Sequence, residues 1–406
     1  MEKITETLEK FIEKKDIAGA AVCVYKDHEV VYQKNFGYAN IEKKETVKKN
    51  TIFRLASMSK PVTAIAIMKL VEEGRLTLED KISKYIPEFK DRVVAKDPID
   101  MLKYYQADPN SPLGRKALDE EIEHMEYIPA KREVTIYDCL SHSSGVGMGP
   151  VSNNWFEERI TADMPLKERV KLYAQAPGDF QPGEGTGYSP MAAFDVLGRV
   201  IEIVSGMDYD TFLKEKIFQP LGIKDMGFVL NEEQKKRRSS MYEAKDGMLY
   251  EVTEEAPVLQ LVNPNLYGYY SGSAGMYGTL EEYTKIARML LNKGEYQGVQ
   301  FLKKETVEMM AGEGVPHDKI FSPGSYWGLG MAIFEDPTIE GRGLEPNSFG
   351  WSGAYGTHFY VDWKNNMTVV LMVSCSNIGG ANSHVSLALE KAVFDSYIKN
   401  SSEEVL

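Results

Sequence analysis

Apolar residues near the start of the chain recur first at helical spacing and then at strand spacing. Residues 1–12 are amphipathic with a helical period, which predicts an opening helix. Residues 20–25 and 29–35 follow as two runs separated by a polar turn, which predicts a pair of strands. Residues 61–71 form a longer apolar run at helical spacing, and Gly74 after it is a residue typical of helix ends.

The middle and the end of the chain differ in their pattern. Residues 78–223 read as mostly helical, with long polar loops and dense glycine and proline punctuation. Strand patterns return at 357–361 and 367–374, and a last helix is predicted over 383–399. Strands at both ends with helices between them predict an α/β domain whose sheet is completed by the C-terminal part. A mostly helical domain would be inserted into it.

Composition narrows the class of protein. The chain has 406 residues, of which 43% are hydrophobic and 26% are charged, and this is typical of a globular protein. Its formal net charge of −13 argues against nucleic acid and anionic membranes as partners. The short basic run at residues 235–238 follows two glutamates and is best explained as a solvated helix face.

Metal chemistry finds no support in the sequence. The three cysteines, Cys23, Cys139 and Cys375, are far apart and show no spacing typical of metal ligands. We therefore expect no metal site and no cofactor, with Cys23 and Cys375 as small apolar core residues.

Targeting signals are also lacking in the sequence. The amphipathic N-terminal segment has no apolar core of a signal peptide, and no run reaches the ~18 apolar residues of a membrane span. The expectation is a cytoplasmic protein that makes no use of a membrane, and the sequence does not indicate an oligomeric state.

A serine and a lysine lie at the N-terminal end of the long apolar helix. Ser57 precedes the helix, and Lys60 lies one turn along, so that the two side chains share a face. An alcohol is a weak nucleophile until a neighbouring base activates it, and a desolvated lysine can be that base. The helix N-terminus also offers backbone N–H groups to a developing oxyanion. The alternative is an ordinary serine cap on a helix with an unremarkable lysine.

Three motifs in order carry a family resemblance. Ser57-x-x-Lys60, then Tyr188, then Trp351-Ser352-Gly353 resemble the motifs of the serine β-lactamase and penicillin-binding-protein superfamily. The similarity is nearest to class C β-lactamases and the esterases and transesterases related to them. It extends over most of the chain, through residues 53–56, 74–80, 135–145, 220–223 and 273–279.

The resemblance implies a fold and a place for the active site. It implies an antiparallel sheet flanked by helices, formed by residues 1–80 and 225–406, with the helical domain at residues 81–224. The active site is expected in the cleft between these domains.

Tyr188 is the predicted partner of the serine–lysine pair. The resemblance implies that its phenol shuttles the proton of the nucleophile. The family pattern has asparagine two residues on, whereas this chain has Pro190, which has no side-chain donor and puts recognition of amide substrates in doubt. Two other segments match the second motif, Tyr38-x-Asn40 and Ser152-x-Asn154. The first precedes the nucleophile in a strand region, and the second is kept as an alternative.

The third motif indicates the class of substrate. Penicillin-recognising relatives carry a basic residue before Ser/Thr-Gly, but no Lys, Arg or His precedes such a pair here, and Trp351 stands at the matching position. A cation there would bind a carboxylate, whereas an indole offers an apolar face and one N–H donor. The backbone N–H groups of Ala354 and Ser57 would form the oxyanion hole. Ser352 and Gly353 would belong to the same substrate-binding segment.

Other side chains are candidates by their position near these motifs. We expect His358, Tyr355 and Trp155 to line the pocket. His142 lies where a helix turns into a loop and is expected to order that turn rather than to catalyse.

Three functions are consistent with these residues. The first is a serine hydrolase of carboxylic esters, able to pass the acyl group to an alcohol or amine. The second is a β-lactamase or a D-amino-acid peptidase or amidase, against which the missing basic residue counts. The third is a non-catalytic binding protein on the same scaffold, against which the intact Ser57, Lys60 and Tyr188 count. The partner in either catalytic case is a small ester or amide.

Overall fold

The computed structural model describes residues 1–99, 122–157, 159–253, 268–312, 314 and 320–399. The part of the predicted helical segment at residues 100–121 lies outside these ranges. The α-helices of the described residues range from long ones, in which apolar residues recur every three or four positions, to short ones such as Glu232–Lys236, which has no buried residue. They are α1 Glu2–Glu13, α2 Ser59–Glu72, α3 Ile136–Leu140, α4 Pro150–Glu157, α5 Leu166–Gln175, α6 Ala192–Ser205, α7 Tyr209–Leu213, α8 Glu232–Lys236, α9 Leu280–Leu291, α10 Lys304–Met310 and α11 His384–Tyr397.

The strands are longest near the two ends of the chain and short elsewhere. They are β1 Gly19–Lys26, β2 Glu29–Asn40, β3 Glu45–Thr46, β4 Ile52–Arg54, β5 Val93–Ala95, β6 Tyr127–Pro129, β7 Met226–Gly227, β8 Tyr242–Lys245, β9 Met248–Glu251, β10 Tyr277–Thr279, β11 Glu295–Tyr296, β12 Val299–Gln300, β13 Ile320–Ser322, β14 Ser325–Trp327, β15 Ala332–Phe334, β16 Ser348–Ser352, β17 His358–Asp362 and β18 Met367–Val373.

The chain divides into two compact units. The first contains Met1–Val62, Asp210–Asn265 and Ala274–Leu406, and the second contains Thr63–Tyr209 and Leu266–Ser273. The second unit begins inside α2, where the Thr63 hydroxyl lies 2.6 Å from Tyr209 Oη and donates to Gly272 O at 2.7 Å.

An antiparallel sheet forms the first unit. Within the described residues it has nine strands in the order β13-β14-β15-β16-β17-β18-β1-β2-β3. β1 pairs with β18 on one side and with β2 on the other, so strands from the two ends of the chain lie side by side. β17 and β18 are buried along their whole length, as central strands covered on both faces are. The predicted mixed α/β fold with an antiparallel sheet is confirmed.

Helices cover both faces of this sheet. Phe359 in β17 packs edge-on against Tyr283 of α9, with ring centroids 5.1 Å apart. Its neighbour His358 contacts Glu390 of α11. Successive side chains of a strand point to opposite faces, so α9 covers one face and α11 the other. α1 packs beside α11.

The second unit is largely helical in its described part. α6 contacts α3 and α5, and α4 contacts α5. Asp195 of α6 is fully buried and accepts hydrogen bonds from the hydroxyls of Tyr173, Tyr269 and Ser271. These hydroxyls, together with the N–H of Ser273 at 3.4 Å, satisfy a carboxylate that burial would otherwise make unfavourable. Of the helices in the described part of the chain, none combines the length and the apolar character that crossing a membrane requires.

Candidate active site

Ser57 lies in a tight turn that leads directly into α2. The turn is a 3₁₀ helix over Ala56–Met58, and α2 begins at Ser59. Ser57 is half-buried, whereas Lys60 is fully buried. Lys60 Nζ donates to Ser57 Oγ at 3.4 Å, which is at the long end of the hydrogen-bond range. Contacts of this kind often tighten only when substrate is bound. The pair has the arrangement of a nucleophile beside its base.

Backbone strain marks the residue before the serine. Ala56 has a φ of +45°, a conformation that residues other than glycine rarely adopt. Its side chain is buried against Met241 and Tyr355, which hold it in this conformation. Such strain persists only when the surrounding structure fixes it, and it is common at functional sites.

Hydrogen bonds from α9 and its neighbourhood fix the nucleophile turn. Tyr283 Oη donates to Met58 O at 3.0 Å, and the N–H of Met276 donates to Ser59 Oγ at 3.1 Å. The N–H of Leu55 donates to Met276 O at 2.9 Å. Residues on both sides of Ser57 are therefore attached to the first unit, and the position of the serine is well defined.

A tight hairpin between β16 and β17 lies against the nucleophile segment. The N–H of Gly356 donates to Gly353 O at 3.0 Å, and the N–H of Gly353 donates to Thr357 O at 2.7 Å. The hydroxyl of Thr357 donates to Leu55 O at 3.0 Å. A Cβ atom on Gly353 would lie 2.2 Å from the same oxygen. Glycine is required there because the hairpin contacts the backbone two residues before Ser57.

Ala354 lies at the tip of this hairpin. It is half-buried and packs against the cluster that contains Ala56. Within the described residues its N–H donates to no other backbone group. The N–H of Ala354 is therefore not used in the backbone hydrogen bonds of the described residues. A donor to an oxyanion must be unused in this way.

Trp351 is almost wholly enclosed. It is 6% exposed, and its ring stands edge-on to Trp327 with centroids 4.5 Å apart. Trp351 pairs with Phe359, so it lies on the face of the sheet covered by α9, the helix that also fixes the nucleophile turn.

Ser352 and His358 project to the other face. They are the last paired residues of β16 and β17, and Ser352 Oγ lies 2.8 Å from His358 Nδ1. His358 Nε2 lies 3.1 Å from Oε1 of the buried Glu390, which Arg342 Nη2 contacts at 2.7 Å. The expectations that Ser352 binds substrate and that His358 lines the pocket gain no support from these positions. Arg342 and His358 are engaged with Glu390 instead.

Tyr355 and Trp155 differ in their surroundings. Tyr355 is 2% exposed, and burial raises the pKa of its phenol well above the ordinary value. It packs behind the nucleophile turn as a core residue. Trp155 lies in α4 of the second unit, half-buried, with the guanidinium of Arg159 4.5 Å from its ring centroid.

Tyr188 is held by His142 within the second unit. The rings lie 4.9 Å apart, and His142 Nδ1 accepts a hydrogen bond from the N–H of Ser189 at 3.2 Å. The carbonyl of His142 accepts from the N–H of Gly187 at 3.1 Å. The histidine thus binds the backbone on both sides of the tyrosine. Pro190 beside it is exposed.

Ser152, the alternative second motif, has a structural role. Its hydroxyl donates to Asp179, a carboxylate that also accepts from the N–H groups of Met148 and Gly149. These contacts cap the start of α4. Burial raises the pKa of Asp179, and the capping bonds oppose that rise. Ser152 is fully buried and so is poorly placed to meet a substrate.

Sequence reasoning did not find the role of Glu390. The signal was a charged residue among the buried positions of the last helix, next to Leu389, because a carboxylate is rarely buried without a partner. Among the described residues, no group of three or more His, Cys, Asp or Glu side chains is arranged to hold a metal ion.

Comparison with known proteins gives one family for almost the whole chain. The sequence profile of the Beta-lactamase family matches residues 4–383. Esterase EstB of Burkholderia gladioli is 26% identical over 417 residues, which cover 97% of this chain and 94% of that protein. A putative D-alanyl-D-alanine carboxypeptidase of Escherichia coli is 26% identical, with coverage of 86% and 76%.

A solved structure supports the same fold. EstCE1, described as a hydrolase with promiscuous acyltransferase activity, superimposes with a TM-score of 0.75. It is 23% identical and covers 97% of this chain and 98% of its own. At this identity the likeness shows the fold alone.

Proposed function

Because this chain belongs to the Beta-lactamase family and is a serine hydrolase of that family, we propose that it cleaves carboxylic esters through an acyl intermediate on Ser57. The observation that carries the proposal is the contact of 3.4 Å between Lys60 Nζ and Ser57 Oγ. Lys60 is fully buried beside the half-buried Ser57, so its amine faces the serine hydroxyl and is shielded from solvent.

The proposed mechanism uses groups of four residues. Ser57 Oγ attacks the ester carbonyl, and Lys60 with Tyr188 takes the hydroxyl proton and returns it to the leaving alcohol. The N–H groups of Ser57 and Ala354 stabilise the oxyanion of the tetrahedral intermediate. Water then releases the acid, or an alcohol or amine takes the acyl group. Acyl transfer is part of the proposal because EstCE1, which has the same fold, is described as a hydrolase with promiscuous acyltransferase activity.

Neutral esters fit the third motif better than β-lactams or peptide C-termini. A carboxylate beside Trp351 would find no cation in the motif, since Arg342 and His358 contact Glu390. An unpaired carboxylate in a closed site is unfavourable by several kcal/mol. The second candidate is a D-amino-acid peptidase, which the resemblance to a putative D-alanyl-D-alanine carboxypeptidase favours.

The ester hydrolase and the β-lactamase alternative separate in one comparison of substrates. We expect p-nitrophenyl butyrate to be hydrolysed with an ordinary enzymatic kcat/KM, and nitrocefin slowly or not at all. Ser57→Ala is the control and should abolish both reactions. A kcat/KM for nitrocefin equal to or above that for the ester contradicts the proposal and favours the β-lactamase alternative.

A further inference from the structure

Four polar side chains form a buried network beside β16. Ser352 Oγ lies 2.8 Å from His358 Nδ1, and His358 Nε2 lies 3.1 Å from Glu390 Oε1. Arg342 Nη2 donates to the same carboxylate oxygen at 2.7 Å. The four residues are between 0% and 6% exposed. A substrate cannot reach them, so they are not a second catalytic triad.

Ser352, at one end of this network, lies at the base of the β16–β17 hairpin. Ser352 and His358 are directly paired across β16 and β17, at the last rung before the turn that contains Ala354. Their side-chain bond therefore links the two strands where the turn begins. It lies on the opposite face from Trp351, because successive residues of a strand alternate.

The other end is anchored outside the sheet. Glu390 belongs to α11, and Arg342 also contacts Asn382 and, at 3.5 Å, Glu340. The anchor is therefore a helix and a loop distant in sequence from the hairpin. Buried ionic groups are often no more stabilising than apolar residues of the same size. Their presence here calls for a role in geometry rather than in stability alone.

We propose that Ser352, His358 and Glu390 are positioning residues that hold the β16–β17 hairpin so that the N–H of Ala354 meets the oxyanion. The proposal rests on the proposed ester hydrolysis through Ser57. No proton or electron is transferred along this network of side chains. Ser352 Oγ and His358 Nδ1 lie within hydrogen-bond distance of each other, and the carboxylate of Glu390 faces the other ring nitrogen.

Two substitutions of His358 separate the two contacts. An asparagine amide reaches the place of Nδ1 and can keep the bond to Ser352, whereas a glutamine amide reaches the place of Nε2 and keeps only the contact with Glu390. Ser352→Ala removes the same bond from the other side. Ser348→Ala is the matched control, because Ser348 lies on the same strand and face, is 1% exposed, and its hydroxyl bonds to none of the described residues.

The first measurement is steady-state hydrolysis of p-nitrophenyl butyrate. We expect Ser352→Ala and His358→Gln to lower kcat by about ten- to a hundredfold with KM changed less than about threefold, because oxyanion stabilisation acts in the transition state. His358→Asn should recover most of kcat, and Ser348→Ala should match the unchanged protein. Equal kcat for His358→Asn and His358→Gln overturns the proposal. A fall in kcat that occurs in all the variants and only in proportion to their fall in melting temperature also overturns the proposal.

The second measurement does not need activity. Hydrogen–deuterium exchange of the peptide that spans residues 350–359 should be faster in Ser352→Ala and His358→Gln, and unchanged in Ser348→Ala. Unchanged exchange in the first two variants overturns the proposal even if the protein is an esterase. Absence of ester hydrolysis by the unchanged protein contradicts the proposed function instead, and exchange still decides whether these residues hold the hairpin.

Discussion

At the scale of single residues, the proposed chemistry depends on the contact of 3.4 Å between Lys60 Nζ and Ser57 Oγ. The two residues are three positions apart, and residues three apart on a helix are neighbours. The role of His142 was less accessible, since the backbone groups that it binds, such as the N–H of Ser189, lie 47 residues away. No local pattern in the sequence encodes such a pairing.

The first prediction concerns Lys60 and Tyr188 as one proton-transfer unit. Lys60→Ala and Tyr188→Phe should each lower kcat by about a hundredfold or more, the loss typical of a general base. The double variant should lose little more than the worse single one, because groups acting together are not additive. Steady-state kinetics on a nitrophenyl ester measures all three.

Controls for this prediction come from the other matches to the motif. Tyr38→Phe should leave kcat unchanged, since Tyr38 is an exposed residue of β2. Ser152→Ala should lower the melting temperature through the cap of α4 more than it lowers kcat. Full activity of Tyr188→Phe together with an inactive, folded Ser152→Ala would reverse the assignment of the second motif.

Secondary-structure elements were predictable where they are long. β1, β2, β18, α2 and α11 each carry an apolar pattern over seven or more residues, and all were expected within a few residues of their observed bounds. β13 to β15 have three residues each, too few to show a period, and none was predicted. Their strand character comes from pairing with neighbours, which is a property of the fold.

The β16–β17 hairpin carries the second prediction. Gly353→Ala would bring a Cβ atom to 2.2 Å from Leu55 O, a distance that forces the hairpin or the nucleophile segment to move. We expect kcat to fall by about a hundredfold, as displacement of a catalytic group by ~1 Å does. Ester kinetics, with melting temperature measured in parallel, tests this.

Gly380 provides the control for this hairpin. Its nearest neighbours are backbone atoms of Gly353 and Ala354, and a Cβ atom there would stand 3.6 Å or more from them, at ordinary contact distance. Gly380→Ala should therefore change kcat by less than about threefold. An equal loss in both glycine variants would show that crowding at Leu55 is not the cause.

At the scale of the whole molecule, the burial of the three cysteines indicates whether a thiol takes part in catalysis. Cys23, Cys139 and Cys375 are free and buried, and burial raises the pKa of each thiol, that of Cys23 from 9.0 to about 11. A raised pKa favours the neutral thiol in the folded chain. The stability contributed by Cys23 is therefore complete below pH 9 and is lost as pH rises through about 11.

The third prediction follows from this burial. At pH 8 the folded protein should react slowly with a disulfide reagent such as dithionitrobenzoate, and denaturant should release all three thiols. Iodoacetamide should leave ester hydrolysis unchanged. Rapid inactivation by iodoacetamide would contradict the assignment of the nucleophile to a serine.

The central claim for the whole molecule is that turnover passes through an acyl group on Ser57. Intact-mass spectrometry after reaction with an alkyl fluorophosphonate tests it most directly, followed by peptide mapping. We expect one adduct per chain, on the peptide that contains Ser57, and none on Ser57→Ala under the same conditions. An adduct of equal yield on Ser57→Ala, or one that maps to any other residue, would contradict it.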